Sequence, residues 1–173
     1  MFENYGPGVY GPYYTPGAPV AGTDEAQTAT FGGTWLAGDT FRLAFDGYTT
    51  AAIPWSAVNA TLLASLQAAT NALPNVGTNG IVWTLGTLAA GLGTVIATFS
   101  GGNLAKRAVA LLTVPSKTTA AGTLAIAETQ AGVTATYRDI AKGSVLVDVT
   151  NGVEYMKTGA AGTGTYTKTG AQT

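Results

Sequence analysis

The side chains that could carry out chemistry in this chain are almost all carboxylates. Its 173 residues include nine acidic residues but no histidine and no cysteine. The chain therefore lacks the commonest general base, the commonest metal ligand and every thiol nucleophile. Chemistry with carboxylates alone, such as glycoside hydrolysis, would need two acidic residues to converge. Asp39 and Asp46 flank one predicted strand in turn positions, which is typical of backbone capping rather than of catalysis.

The sequence also lacks the motifs of a calcium-binding loop and of a nucleotide-binding site. A calcium loop needs a dense run of alternating oxygen ligands, and the sequence contains none. Gly91-Leu92-Gly93 lacks the strand-to-helix setting of a nucleotide-binding fingerprint. We therefore predict that the protein is not an enzyme and that it uses no cofactor and no metal.

Three tryptophans, Trp35, Trp55 and Trp83, admit two interpretations. They could line a groove that binds a sugar, or they could be core or interface anchors. The second role is the commoner one for aromatic residues in β domains. An adhesion module that binds a glycan stays open as the alternative.

The chain carries little charge. Charged residues make up 10% of it, against about 25% in typical soluble domains. Either partner chains cover much of the surface, or threonine and serine hydrate it. The eight basic residues are scattered, with Lys106-Arg107 their only adjacent pair, so we expect no nucleic-acid binding. The first residues lack a basic or apolar signal region, so we expect synthesis in a cytoplasm.

The apolar run Ile81–Ser100 has the length of a membrane-spanning helix. It contains three glycines and four threonines, however, and its apolar residues cluster in Ile81–Trp83 and Val95–Phe99. These clusters favour two buried strands around a glycine-rich turn. We therefore expect no contact with a membrane.

Residues 1–21 form a distinct leading segment. Four of the seven prolines and four tyrosines lie within its first twenty residues. Proline fixes φ and removes a hydrogen-bond donor, so neither a helix nor a central strand is expected. We predict an extended, polyproline-like arm that docks on a neighbouring chain, because tyrosine buries a large area at low entropic cost. The predicted interface residues of this arm are Tyr5, Tyr10, Pro12, Tyr13, Tyr14 and Pro16.

Residues 22–115 have the pattern of a compact sandwich domain. Strands are predicted from alternation and short β-rich runs at Glu25–Phe31, Gly38–Gly47, Thr49–Ile53, Ile81–Trp83, Val95–Phe99 and Val109–Val114. Within the second of these, Phe41, Leu43 and Phe45 lie on one face at period two.

One helix is predicted in this domain, from Ser56 as its N-cap to Leu73, where Pro74 follows. Its apolar stripe consists of Val58, Leu62, Leu66, Ala69 and Leu73. The order of elements predicts an α+β fold that is mainly β: a small sandwich of antiparallel sheets with one covering helix.

The sequence after residue 115 indicates smaller structural elements. Residues 116–136 are rich in alanine, threonine and glycine and could be a linker or an edge strand. Residues 137–173 predict a β-meander, since Gly143–Val149 and Val153–Lys157 flank Asn151-Gly152, a strong hairpin signal. Such a small sheet lacks a core of its own, so we expect it to pack on the main domain or on copies of itself.

Two segments resemble virion proteins of tailed bacteriophages. One stretch is similar to a module of such proteins and of some large bacterial surface proteins, which has a threonine-rich strand, the motif F-D-G-x-T-T-x-x-I, an alanine- and leucine-rich helix and the motif L-P-N-V-G. Here it comprises Gly22–Thr28 onward, Phe41–Pro54 and the helix that ends at Leu73–Gly77. Tyr137–Asp139 with Gly143–Lys168 resembles the C-terminal hairpin segment of phage head and tail decoration proteins, which often carries the pattern Y-x-N-T-G…W-T-K-x-G. This chain departs from that pattern with Lys157 at the usual asparagine and Tyr166 at the usual tryptophan.

The resemblance implies a structural role in a virion and carries no catalytic residue with it. We expect a capsid decoration, or cement, protein that binds the major capsid protein and neighbouring copies, as a homotrimer on the surface of a phage head. The alternative is a head-fibre or tail-associated adhesion module that binds a host surface glycan.

Overall fold

A computed structural model of the protein describes residues 12–15, 17–137, 140–160 and 164–171. Over these residues the chain is mainly β with one α-helix, which confirms the predicted fold class. The elements in chain order are β1 Pro12–Thr15, β2 Glu25–Thr34, β3 Thr40–Phe45, β4 Tyr48–Thr49, β5 Ile53–Pro54, α1 Asn59–Asn71, β6 Ile81–Leu85, β7 Gly93–Phe99, a short 3-10 helix Gly102–Leu104, β8 Thr113–Lys117, β9 Ala121–Gln130, β10 Val145–Asp148, β11 Val153–Lys157 and β12 Tyr166–Ala171.

The chain divides into two compact units. The central unit is Asp24–Gly132, and the terminal unit joins Met1–Thr23 with Val133–Thr173. The terminal unit is thus built from the two ends of the chain.

The central unit contains two antiparallel sheets with a hydrophobic core. One sheet has the order β6-β7-β2-β9, and the other has the order β4-β3-β5 with β8 also paired to β3. Phe41, Leu43 and Phe45 are 1%, 0% and 3% exposed, so the period-two pattern of β3 correctly identified its core face. Phe31, Ile81, Val95 and Phe99 join the same core.

The helix is shorter than its sequence pattern indicates. It begins at Asn59, after Val58 in extended conformation, because the Ser56 hydroxyl accepts the Val58 N–H in a local turn rather than capping the helix. Val58 is therefore 61% exposed and does not belong to the apolar stripe, whereas Leu62 and Leu66 are fully buried. The helix packs against β5 and β6.

A glutamine side chain of the helix completes the edge of β6. The Gln67 amide donates to the Ile81 carbonyl oxygen at 2.7 Å and accepts the Trp83 N–H at 3.1 Å. These two bonds resemble those of a neighbouring strand, so the edge of β6 is satisfied without one.

The predicted strand Val109–Val114 is wrong in position, because β8 begins only at Thr113. The preceding residues are held by side chains instead of by a neighbouring strand. Gln27 donates to the Ala110 carbonyl oxygen at 2.9 Å and accepts the Leu112 N–H at 2.8 Å. The Glu25 carboxylate accepts the Val109 N–H at 2.7 Å.

The sequence left two interpretations of residues 116–136, a linker or an edge strand. In the structure these residues contain the end of β8 and the whole of β9. Strand β9 lies at the edge of its sheet and pairs with β2 along its length. The predicted domain boundary at residue 115 therefore moves to Gly132, because the pairing of β9 with β2 makes it part of the central unit.

The terminal unit contains the predicted meander as β10, β11 and β12. Strand β1 adds to this sheet in parallel beside β10, in the order β1-β10-β11-β12. The leading segment predicted as a separate arm over residues 1–21 thus contributes a strand to the unit predicted over 137–173. Pro12 is compatible with this pairing because it is the first residue of an edge strand, where a missing N–H is tolerated.

Candidate protein interface

The structure places part of the predicted interface segment on a rigid element. Tyr13 and Tyr14 lie in β1, which begins at Pro12. Tyr5, Tyr10 and Pro16 lie outside the described residues.

Strand β1 is held by pairing and by one tyrosine from the other end of the chain. It pairs in register with β10, and the Val149 N–H donates to the Thr15 carbonyl oxygen at 3.0 Å. The Tyr137 hydroxyl donates to the Tyr14 carbonyl oxygen at 2.7 Å. The rings of Tyr13 and Tyr137 lie with their centroids 5.5 Å apart. Sequence reasoning missed the role of Tyr137, because nothing in its neighbourhood marks it as a partner of residues 123 positions away.

One face of this sheet is polar but buried. Along it lie Ser144, Leu146, Asp148, Thr15 and Lys157, each exposed by 5% or less. The Lys157 ammonium group donates to the Tyr137 carbonyl oxygen at 3.3 Å and lies 5.4 Å from the centroid of the Tyr166 ring. This cation–π arrangement stabilises a charge that would be costly in an apolar interior. Burial raises the pKa of Tyr166, so the phenol stays neutral there.

The Asp148 carboxylate organises the hairpin that Asn151-Gly152 predicted. Its two oxygens accept the backbone N–H groups of Thr150 and Asn151 and the side-chain amide of Asn151, the last at 2.7 Å. The hydrogen bond from the Asn151 side chain, with those from the two backbone groups, lowers the pKa of Asp148 against the effect of desolvation. Asp148 therefore acts as a turn cap in this hairpin.

The opposite face of the same sheet carries apolar side chains that are partly open to solvent. By register and alternation Tyr14, Val145, Val147 and Met156 lie on this side together with Glu154, and we call the four apolar residues the tyrosine face. Tyr14 is 61% exposed and Met156 is 40% exposed, while Val147 is nearly buried between them. Large apolar side chains held on a strand can enter a partner's surface without first losing backbone freedom.

Three acidic residues of the central unit, Asp24, Glu25 and Asp39, accept hydrogen bonds from backbone N–H groups. Asp39 accepts the Leu36 N–H at 2.8 Å, the turn capping expected of it. Asp24 accepts the Lys106 N–H at 2.8 Å and forms an ion pair of 3.5 Å with the Lys106 ammonium group. Across the described part of the chain, no three acidic residues come together in an arrangement that could hold a metal ion.

The tryptophans of the central unit belong to its core. Trp35 and Trp83 are each 6% exposed, and Trp35 stacks on Trp55 at 6.3 Å. Two of the three indole rings are therefore too buried to form an open platform for a sugar.

The central unit has a depression of about 290 Å³ in its surface. Its lining includes the polar residues Asp46, Asn75, Asn103 and Arg107 beside apolar Leu104 and Val109. This mixture of hydrogen-bonding groups and apolar wall is compatible with a small polar ligand.

Comparison with known proteins does not identify the function of this chain. No protein-family model matches the chain, and no curated protein is significantly similar to it in sequence. In the portion of the chain covered by the structure, no helix is long and apolar enough to cross a membrane.

Proposed function

We propose that the protein is a capsid decoration protein, which binds the major capsid protein and neighbouring copies of itself on the surface of a phage head. The observation that carries the proposal is the tyrosine face, where Tyr14 is 61% exposed although its strand is fixed by pairing and by Tyr137. Tyrosine and methionine are enriched at the centres of protein interfaces. A sheet that holds them rigidly outward is suited to docking on another protein.

The low charge of the chain supports the same function. Charged residues are depleted at the centres of protein interfaces, and this chain has 10% of them. A decoration protein occupies many equivalent positions on a shell, so each contact can be modest while their sum stabilises the shell. We further propose a homotrimer, in which copies meet around a symmetry axis of the shell, and sedimentation of the purified protein measures this directly.

The test is a substitution on the tyrosine face. Tyr14→Ser removes an exposed aromatic ring but retains the backbone pairing of β1. An interface aromatic contributes about 2 kcal/mol, so we expect the dissociation constant for undecorated shells to rise about 30-fold.

The matched control is Tyr48→Ser, because Tyr48 is also half exposed, at 48%, but lies in the central unit. We expect this variant to bind shells like the unmodified protein. Equal binding by the Tyr14→Ser variant, with circular dichroism showing an intact fold, would exclude the tyrosine face as the capsid contact. Deleting the leading segment is a less specific test, since it also removes β1 from its sheet.

Glycan binding by an adhesion module is the second candidate, and the depression beside Asp46 and Arg107 is the feature that favours it. Carboxylate and guanidinium groups both bind sugar hydroxyls. A reproducible signal on a glycan array, lost in an Arg107→Ala variant, would rank this function above capsid decoration.

A further inference from the structure

Within the described residues, the contacts that hold β1 to its sheet come from the C-terminal segment of the chain. They are the pairing with β10, the Val149 N–H on Thr15, and the ring and hydroxyl of Tyr137. The other strands of the sheet form a continuous antiparallel meander, in which each strand follows its neighbour in sequence. Strand β1 is thus the one strand of this sheet that reaches it from a distant part of the chain.

A short hinge separates β1 from the next anchored residue. The Val20 N–H donates to the Thr136 hydroxyl at 2.9 Å, and the Val20 carbonyl oxygen accepts the Thr136 N–H at 3.0 Å. Between Thr15 and Val20 the sequence is Pro-Gly-Ala-Pro. The Thr15 hydroxyl donates to the Gly17 carbonyl oxygen at 3.0 Å, and a Cβ atom added to Gly17 would meet no atom within 4 Å, so the Cβ side of this residue is open.

Such a hinge favours exchange of the strand it carries. A proline-rich linker is stiff and extended, and short hinges are known to promote the swapping of an element between identical chains. The five Cα steps from Thr15 to Val20 span at most about 18 Å, so β1 can reach only the sheet of a copy that lies directly against its own. Every copy presents the same β10, Val149 and Tyr137, so a neighbour's β1 would form the same set of contacts.

The local concentration of β1 then determines whether β10 pairs with the β1 strand of its own chain or with that of another copy. A short linker holds its strand at an effective concentration in the millimolar range. Copies that lie side by side on a shell, as the proposed function requires, would bring a neighbour's β1 into competition with the chain's own strand for the same edge of β10.

We propose that β1 is exchanged between copies of this protein, with β1 of one copy pairing in parallel with β10 of the next. The biological use of this exchange rests on the proposed function, in which it would link neighbouring copies on the shell. The interaction surface is the edge of β10, and its partner is the Pro-Tyr-Tyr-Thr strand of a second copy.

The absence of cysteine in the sequence permits a direct test by disulfide trapping. Tyr14 and Val147 are register partners across β1 and β10. Two single variants, Tyr14→Cys and Val147→Cys with a mass tag on one of them, are mixed, incubated and oxidised without any shell. The proposal predicts a covalent heterodimer that is negligible at about 10 µM and abundant at about 1 mM, the range of a short linker's effective concentration.

The matched control mixture is Val147→Cys with Glu154→Cys. These residues are register partners within the β10–β11 hairpin, which cannot exchange one strand alone, so its heterodimer reports random collision. A heterodimer yield at 1 mM no greater than the control would overturn the proposal.

A single chain carrying both Tyr14→Cys and Val147→Cys should close an internal disulfide in dilute solution. If this chain fails to oxidise, the pairing of β1 with β10 is refuted, and exchange with it. Because no shell is present in these experiments, a heterodimer yield no greater than the control refutes exchange alone and leaves the capsid-binding measurement with Tyr14→Ser unaffected. Failure of the internal disulfide would instead remove the β1–β10 pairing on which both proposals rest.

Discussion

The buried side chain of Gln27 gives the sharpest test of how the central unit is held together. It is fully buried and joins Glu25, Ala110 and Leu112 by hydrogen bonds of 2.6, 2.9 and 2.8 Å. Gln27→Leu retains most of the side-chain volume but leaves one backbone N–H and one carbonyl oxygen without this partner. Each unsatisfied buried group costs about 1–3 kcal/mol, and the added apolar burial offsets about 1 kcal/mol, so we expect the free energy of unfolding to fall by about 1–5 kcal/mol.

Equilibrium unfolding in urea, followed by tryptophan fluorescence, measures this loss. All three tryptophans lie in the central unit, and Trp35 and Trp83 are buried, so their emission reports the unfolding of this unit. With an m-value of about 2 kcal/mol/M, the midpoint should fall by about 0.5–2.5 M.

The control is the same substitution at an exposed glutamine. Gln130 donates to the Asp24 carbonyl oxygen at 2.8 Å, but the bond is exposed and water can replace it, so Gln130→Leu should cost under about 1 kcal/mol. If the two variants lower the midpoint equally, the side chain of Gln27 does not hold residues 109–112 and the reasoning is refuted.

Two further predictions concern the terminal unit. Because the pKa of Asp148 is lowered in the folded chain, its carboxylate stabilises the hairpin above the ordinary aspartate value of about 3.9, and this contribution is lost as pH falls through the lower folded value. Asp148→Asn should therefore reduce that acid dependence in amide hydrogen exchange of the hairpin; an unchanged pH profile would contradict it. Gly164→Ala would drive a Cβ atom into the Ala21 carbonyl group and should lower stability by about 1–3 kcal/mol, whereas Gly170→Ala, with open space around it, should cost under about 1 kcal/mol; thermal melts that do not separate the two would count against this packing.

Local patterns in the sequence were sufficient for most of the strands. Alternation placed Phe41, Leu43 and Phe45 on the core face of β3, and Asn151-Gly152 located the hairpin between β10 and β11. These signals are local, since a strand exposes every second side chain and a tight turn needs particular residues. The helix was also identified, although its start was placed too early because the Ser56 hydroxyl forms a turn that looks like a cap in sequence.

What only the tertiary structure decided is where distant backbone groups find their partners. Gln27 and Glu25 replace a strand for residues 109–112, Gln67 completes the edge of β6, and Tyr137 holds β1. No periodic pattern in the sequence indicates these hydrogen bonds, because each joins one side chain to a backbone group that is remote in sequence. The composition alone indicated a weakly charged, mainly β chain without histidine or cysteine. That Tyr13 and Tyr14 lie on a sheet built from both ends of the chain follows from pairing in space, which proline-rich local sequence cannot reveal.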